Sequence, residues 1–169
     1  DANERCDLAT ARWLGDAARA AGVLFVEEPI RHHDVEGYRA LAAAGVALAT
    51  GEHLQGRQSF LPFLAERLVV VIQPDLAMSG GLTPMCEVAA LAEAYGIAVS
   101  PHFLPGLFVH LAAASPSVAW LEDFPLLEPL FDGWPAIVNG ATRPTAMPGH
   151  GLSLRSDAAR WQVVASQSK

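Results

Sequence analysis

The chain has 169 residues, 51% of them hydrophobic, enough apolar material for one sizeable core. Its formal net charge is −7 and no basic patch interrupts the sequence, which argues against nucleic acid as a partner. No apolar run approaches the roughly 18 residues of a membrane span and no signal peptide opens the chain, so no membrane partner is expected. The two cysteines, Cys6 and Cys86, form neither a metal-type pair nor a disulfide framework, which fits a cytoplasmic location.

Taken in order, short apolar runs alternate with amphipathic helical stretches. The opening DANERCDLAT lacks an initiator methionine and begins mid-pattern, as a fragment of a longer protein does. A strand ending at Asp1 is expected before the first helix, residues 7–22. VLFVEEP (23–29) reads as a strand, followed by a helix over 34–45 with Asp34 as N-cap and Gly45 just past its end. VALATGE (46–52) leads to the helical RQSFLPFLAERL (57–68), where Pro62 is expected in a first turn. LVVVIQPD (68–75) passes through MSGGL into TPMCEVAALAEAYG (83–96), with Thr83 capping, Pro84 first in the helix and Gly96 ending it. IAVSPHF (97–103) precedes the helix LFVHLAAA (107–114), and SVAWLED (117–123) closes the series. Runs without polar alternation, joined by crossover helices, read as parallel strands buried on both faces. The Pro/Gly-rich stretch from Pro125 onward reads as a separate tail.

Asp1, Glu27, Glu52, Asp75, His102 and Glu122 fall at successive strand ends, 20 to 27 residues apart, about one βα unit each. In a (β/α) barrel those ends converge on the face that carries the active site. In a doubly wound sheet they would spread along an edge, and only those at a switch point would meet. Each has a plainer reading: Glu27 and Glu52 as solvated loop residues, Asp75 as the N-cap of a short turn. His102 would then be a packed core histidine, and Glu122 the partner of a surface arginine. Six such coincidences at consecutive strand ends are a much poorer account than a shared site. Asp1, Glu27 and Glu52 supply hard oxygen ligands with no sulfur or imidazole among them, a set that suits Mg²⁺. The cation would offset the charge of Glu27, leaving Glu28 to point away toward a neighbouring lysine or a backbone amide. Asp75 and His102, from adjacent strands, read as a general-base dyad in which the carboxylate holds the imidazole tautomer and raises its basicity.

In this order, DAN, FVEEP, TGE, IQPD, SGGLT, SPHF, HLAAA and WLE match one known pattern, with no insertion or deletion from Asp1 to Glu122. The chain resembles the enolase superfamily, and within it the mandelate racemase subgroup (the mandelate racemase/muconate lactonizing enzyme family). Residues 102–131 are most similar to its acid-sugar dehydratases, the talarate/galactarate type among them, while GEH and IQPD also occur in rhamnonate-dehydratase-like sequences. The resemblance implies an α/β fold, a (β/α)7β TIM-like barrel with a separate capping domain. This chain would be the C-terminal part of that barrel. Residues 1–125 would run from the end of strand three to strand eight, and 126–169 would return toward the cap. Asp1, Glu27 and Glu52 align with the Mg²⁺ ligands, and His102 and Asp75 with a His–Asp dyad. Glu122 aligns with an acid that hydrogen-bonds the substrate carboxylate, and Asn3 with a polar residue beside the substrate. The family's Lys-x-Lys base pair has no counterpart, since the one lysine is Lys169.

The implied reaction is Mg²⁺-dependent abstraction of the proton α to a carboxylate, through an enediolate stabilised by Mg²⁺ and a protonated Glu122. This is the superfamily's general pattern of a Lys or His base with Mg²⁺. The expected outcome is dehydration of an acid sugar to a 2-keto-3-deoxy acid, with His102 protonating the departing hydroxyl. The alternatives are a racemase or epimerase of 2-hydroxy acids, or a catalytically inactive fragment. The expected partner is a small carboxylate, and the intact protein is expected to be a homo-oligomer.

Overall fold

A computed structural model describes residues 1–161, so the last part of the expected tail, 162–169, lies outside the described residues. Four parallel strands, β1 (Val26–Glu27), β2 (Leu48–Thr50), β3 (Val71–Ile72) and β4 (Ala98–Val99), pair in chain order. Register is continuous: Glu27 lies opposite Ala49, Thr50 opposite Ile72, and Ile72 opposite Val99. Both outer edges are extended by less regular chain. Before β1, the amides of Ala2, Glu4 and Cys6 donate to the carbonyls of Glu27, Glu28 and Pro29. Beyond β4, Val99 receives Val118 as a parallel partner, its amide donating to Ser117 O and its carbonyl accepting from Ala119. Six chain segments thus lie side by side in sequence order, the arrangement of successive barrel strands.

The crossovers are helices α1 (Leu8–Ala20), α2 (Val35–Ala43), α3 (Gly56–Ala65), the single-turn α4 (Leu76–Ser79), α5 (Leu82–Tyr95) and α6 (Pro105–Ala114). Asp34 caps α2 by accepting from the Gly37 amide at 2.9 Å, and Gly45 follows that helix with φ +79°, both as the sequence indicates. Gly96 ends α5 in the left-handed region. Three local expectations change. Pro62 sits well inside α3, because the helix starts at Gly56. Its missing N–H therefore costs a bond in mid-helix, in place of a first-turn amide that needs no partner. Thr83 is inside α5, whose N-cap is Gly81, so the hydroxyl does no capping and Pro84 is third in the helix, not first. Val23 and Leu24, read as the start of a strand, are 53% and 70% exposed. The chain turns at Gly22 (φ +71°) as it leaves α1, and pairing with β2 begins only at Val26.

Tyr38, Phe60, Phe63 and Leu64 of α2 and α3 pack on Leu48, Ile72 and Val99, and Val88 and Ala92 of α5 join the same core. The Tyr38 ring meets Phe63 edge-on at 5.1 Å, and its hydroxyl donates to Ile30 O at 3.3 Å. A second cluster, Met85, Ala89, Phe108 and Leu111, fastens α5 to α6. In the tail, a 3-10 turn (Pro125–Leu130) precedes strand β5 (Phe131–Asp132), which pairs antiparallel with β6 (Ser153–Leu154). Among the described residues, no helix is long and apolar enough to cross a membrane.

Gly51 couples this scaffold to the charged strand ends. At φ +148°, its position for a Cβ lies 2.8 Å from the backbone N and C of Gln73 on the neighbouring strand. Glycine is therefore required by close backbone approach as well as by turn geometry. Gly51→Ala should force β2 and β3 apart just before Glu52. We expect a loss of about 1–3 kcal/mol, read as a lower melting temperature of the full-length protein; an unchanged melting temperature would contradict the contact.

Candidate active site

The charged residues gather where the parallel strands end, since each strand hands the chain to a loop on that face. Asp75 and His102 are register partners, with the His102 amide donating to Pro74 O at 3.1 Å. Their side chains meet: His102 Nδ1 lies 3.1 Å from Asp75 Oδ2. The other Asp75 oxygen, Oδ1, accepts from the Met78 amide at 2.8 Å and caps α4. Asp75 can cap α4 and contact His102 at once, because a carboxylate has two oxygens to use. Across the ring, His102 Nε2 is 3.4 Å from Glu52 Oε2. With the proton on Nδ1 and donated to Asp75, Nε2 is the nitrogen that faces Glu52. His102 is part-buried but polar on both sides, so it is no packed core histidine.

Glu122 does not pair with an arginine. Its Oε2 accepts from the Phe103 amide at 2.7 Å and ties the end of the last strand to the residue after His102. Asp1 accepts from the backbone amide of Asn3 at 2.7 Å and from its Nδ2 at 3.0 Å, so Asn3 orients Asp1 directly. Asp1, Glu27 and Glu52 sit at three neighbouring strand ends, through the Ala2–Glu27 and Glu27–Ala49 pairings. Among the described residues, however, the acidic and histidine groups whose ligand atoms lie within 4.8 Å of one another are Glu28, Glu52 and His53, and Glu4, His32 and His53. The predicted trio shares one face without forming such a tight group.

The surroundings of Glu52 favour a cation. Burial raises its carboxyl above the ordinary range; His102 and His53 oppose the shift, and Glu28 and Glu27 reinforce it. Two carboxylates thus press on a third that is partly withdrawn from water. Hard oxygen donors under mutual repulsion are a donor set into which Mg²⁺ fits.

Glu28 is 1% exposed and takes a role the sequence reading gave only in part. It meets a backbone amide, and the one lysine, Lys169, lies outside the described residues. Its Oε1 accepts from Thr50 Oγ1 at 2.8 Å and from the Gly51 amide at 3.2 Å, and its Oε2 lies 2.7 Å from His53 Nδ1. His53 titrates above an ordinary histidine. Burial works to lower it, but the hydrogen bond His53 makes to Glu28 and the charges of Glu28, Glu52 and Glu4 outweigh that. Glu4, His32 and His53 were not singled out by the sequence reading. Only the position of His53 directly after Glu52, and of His32 shortly after EEP, could have pointed to them. Glu4 Oε1 accepts from the His32 amide and contacts His32 Nδ1, each at 2.6 Å. Burial raises the Glu4 carboxyl, yet these contacts and the charges of His32 and His53 hold it below the usual carboxylate value.

The fold and these strand ends define a segment of a β/α barrel with a carboxylate- and histidine-lined C-terminal face. Residues 1–158 match the family described as enolase C-terminal domain-like, and the chain belongs to it. It is 33% identical over 162 residues to L-talarate/galactarate dehydratase of Salmonella typhimurium, covering 95% of this chain and 41% of that protein. It is 43% identical over 119 residues to D-gluconate dehydratase of Thermoproteus tenax, covering 66% of this chain and 22% of that protein. Among solved structures, L-talarate dehydratase from Polaromonas sp. JS666, complexed with Mg and L-glucarate, superposes with a TM-score of 0.88 at 36% identity. That match covers 95% of this chain and 45% of the other. The chain thus spans less than half the length of these relatives.

The Glu28 hydrogen bonds can be tested without touching the strand-end carboxylates. Thr50→Val keeps shape and removes the hydroxyl that donates to a buried charge, and should cost roughly 1.5–3 kcal/mol. Thr50→Ser keeps the donor and should cost less. Urea unfolding of the full-length variants measures both, and equal losses would contradict the role of the hydroxyl.

Proposed function

We propose that the protein containing this chain is an acid-sugar dehydratase that removes the proton α to a carboxylate and expels the β-hydroxyl, yielding a 2-keto-3-deoxy acid. The observation that carries the reading is the Asp75–His102 pair, in register on adjacent strand ends, with Glu52 on the far side of the ring. The dehydratase relatives, with D-gluconate, L-talarate or galactarate in their names, support an acid sugar as substrate.

In this reading Asp1, Glu27 and Glu52 would hold Mg²⁺, which when bound supplies positive charge against the oxygens of the enediolate. The division into a barrel portion, 1–125, and a tail, 126–169, belongs to the same proposal. His102 does the proton work. Asp75 keeps the proton on Nδ1 and orients the ring, so that Nε2 can take the α-proton and then deliver it to the departing hydroxyl, which leaves as water. The carbon that loses the α-proton keeps the electron pair, which expels the hydroxyl and leaves an enol that tautomerises to the ketone. Glu122, which accepts from the Phe103 amide, would hydrogen-bond the substrate carboxylate, and Asn3, hydrogen-bonded to Asp1, would lie beside the substrate. A racemase or epimerase of 2-hydroxy acids is the second reading. A single imidazole with Nε2 turned outward can return a proton to carbon as well as to oxygen.

Two measurements on the full-length protein separate these roles. Glu52→Gln should weaken Mg²⁺ binding in calorimetry and abolish turnover; unchanged affinity would remove Glu52 from the ligand set. His102→Asn should lower formation of 2-keto-3-deoxy product by about 10²–10⁴-fold while Mg²⁺ still binds. Asp75→Asn should weaken turnover less, because the imidazole remains and asparagine can still cap α4. Full dehydratase activity in His102→Asn would overturn the assignment. Deuterium exchange at the α-carbon with no loss of hydroxyl in the wild-type protein would favour the racemase reading.

A further inference from the structure

Directly after His102 the backbone turns left-handed at two successive residues that are not glycine: Phe103 has φ +58° and Leu104 φ +46°. In that conformation Cβ crowds the backbone, so a bulky residue stays there only where its neighbours hold it. Leu104 is held by the scaffold. It packs on the cluster of Met85, Ala89, Phe108 and Leu111, and its carbonyl accepts from the amides of Leu107 and Phe108 in α6.

Phe103 belongs to neither core cluster. It is held from the end of the last strand instead. Its amide donates to Glu122 Oε2 at 2.7 Å, and its ring meets Phe124 edge-on, with centroids 4.9 Å apart and planes at 90°. Phe124 stands two residues after Glu122 and immediately before Pro125, which opens the 3-10 turn of the tail. A closed circuit results. It runs from His102 to Phe103 along the chain, from Phe103 to Phe124 through the rings, and back along the chain to Glu122, which accepts from the Phe103 amide.

We propose that Phe124 is a positioning residue: its ring holds Phe103 in the left-handed conformation and so keeps the Phe103 amide on Glu122. Without the ring, the turn relaxes toward negative φ and the amide leaves Glu122. The carboxyl then loses the orientation in which it meets the substrate. His102 is affected less, because Asp75 and the Pro74 carbonyl hold it independently. The kinetic consequences rest on the acid-sugar reading above; the backbone consequence does not.

Both are measured on the full-length protein. Amide hydrogen exchange, followed by mass spectrometry on a peptide spanning Phe103, reads the backbone. Phe124→Ala should speed exchange of the Phe103 amide by about two- to tenfold, the size of an edge-on aromatic contact. Unchanged exchange would overturn the proposal whether or not the protein dehydrates acid sugars. For an acid sugar that the wild type turns over, Phe124→Ala should raise KM by a similar factor and lower kcat much less. A lower kcat at constant KM, the mark of lost folded protein, would also overturn it. Phe103→Ala and Phe103→Gly separate strain from direct contact. Both delete the ring, but glycine takes φ +58° without a Cβ to crowd the backbone. Phe103→Gly should therefore keep a KM near the wild-type value where Phe103→Ala does not. Equal KM values for the two would show that no strained turn needs holding, and they decide the matter even if Phe124→Ala proves unstable. A wild type that turns over no acid sugar sinks the dehydratase reading alone, and the exchange rates still decide this one.

Discussion

A buried carboxylate with no water around it must be fully hydrogen-bonded or it destabilises the fold. Glu28 meets that demand by drawing Thr50, Gly51 and His53 around itself. All three lie in or just after β2, whereas Glu28 follows β1, so its side chain ties one strand end to the next. Glu52 lies between Gly51 and His53 in the chain and is held from both sides. Glu27 ends β1 one residue before Glu28, opposite Ala49. One buried charge thus aims two neighbouring carboxylates, and the remaining groups on this face are set relative to them.

The next strand pair repeats the principle with a different residue. Asp75 divides its oxygens between the Met78 amide and His102. The cap fixes the carboxylate to the backbone of α4, and the carboxylate in turn fixes the imidazole. Glu122 does the same for the chain after His102 by accepting from Phe103. Asp75, His102 and Glu122 are thus anchored by a backbone amide or a strand partner, so their geometry follows from strand pairing more than from loop conformation.

Strand order, helix placement and the identity of the strand-end residues were legible in the sequence, because apolar runs of one period alternate with caps and glycines at helix ends. The dyad was legible too, since parallel neighbours one βα unit apart must bring Asp75 and His102 together. Other features were not. The position of Pro62 depends on where α3 starts, and nothing local marks Gly56 as a first residue. Thr83 looked like a cap because hydroxyl residues favour that place, but the preceding glycine pair already turns the chain. The partners of Glu28 and the Glu4, His32 and His53 group depend on how loops of three different strands meet. That arrangement leaves no period in the sequence.

The backbone itself shows what this face costs. Among the described residues, seven non-glycine residues have positive φ, and five of them, Asn3, Glu4, Glu28, Phe103 and Leu104, lie at strand ends on this face. Such conformations cost of order 1–3 kcal/mol each and persist only where neighbouring groups hold them. For four of the five the amide has a named acceptor: Asn3 on Asp1, Glu4 on Glu28 O, Glu28 on Ala49 O and Phe103 on Glu122. Two of those acceptors, Asp1 and Glu122, are the carboxylates assigned to metal and substrate. Each of these hydrogen bonds holds a strained amide, so the residues that would do the chemistry also hold the turns that place them. A substitution at Asp1 or Glu122 therefore acts twice, removing a functional group and releasing a strained turn. A loss of activity at either position measures both effects together, whereas His102, whose ring anchors no such turn, reports on chemistry more directly.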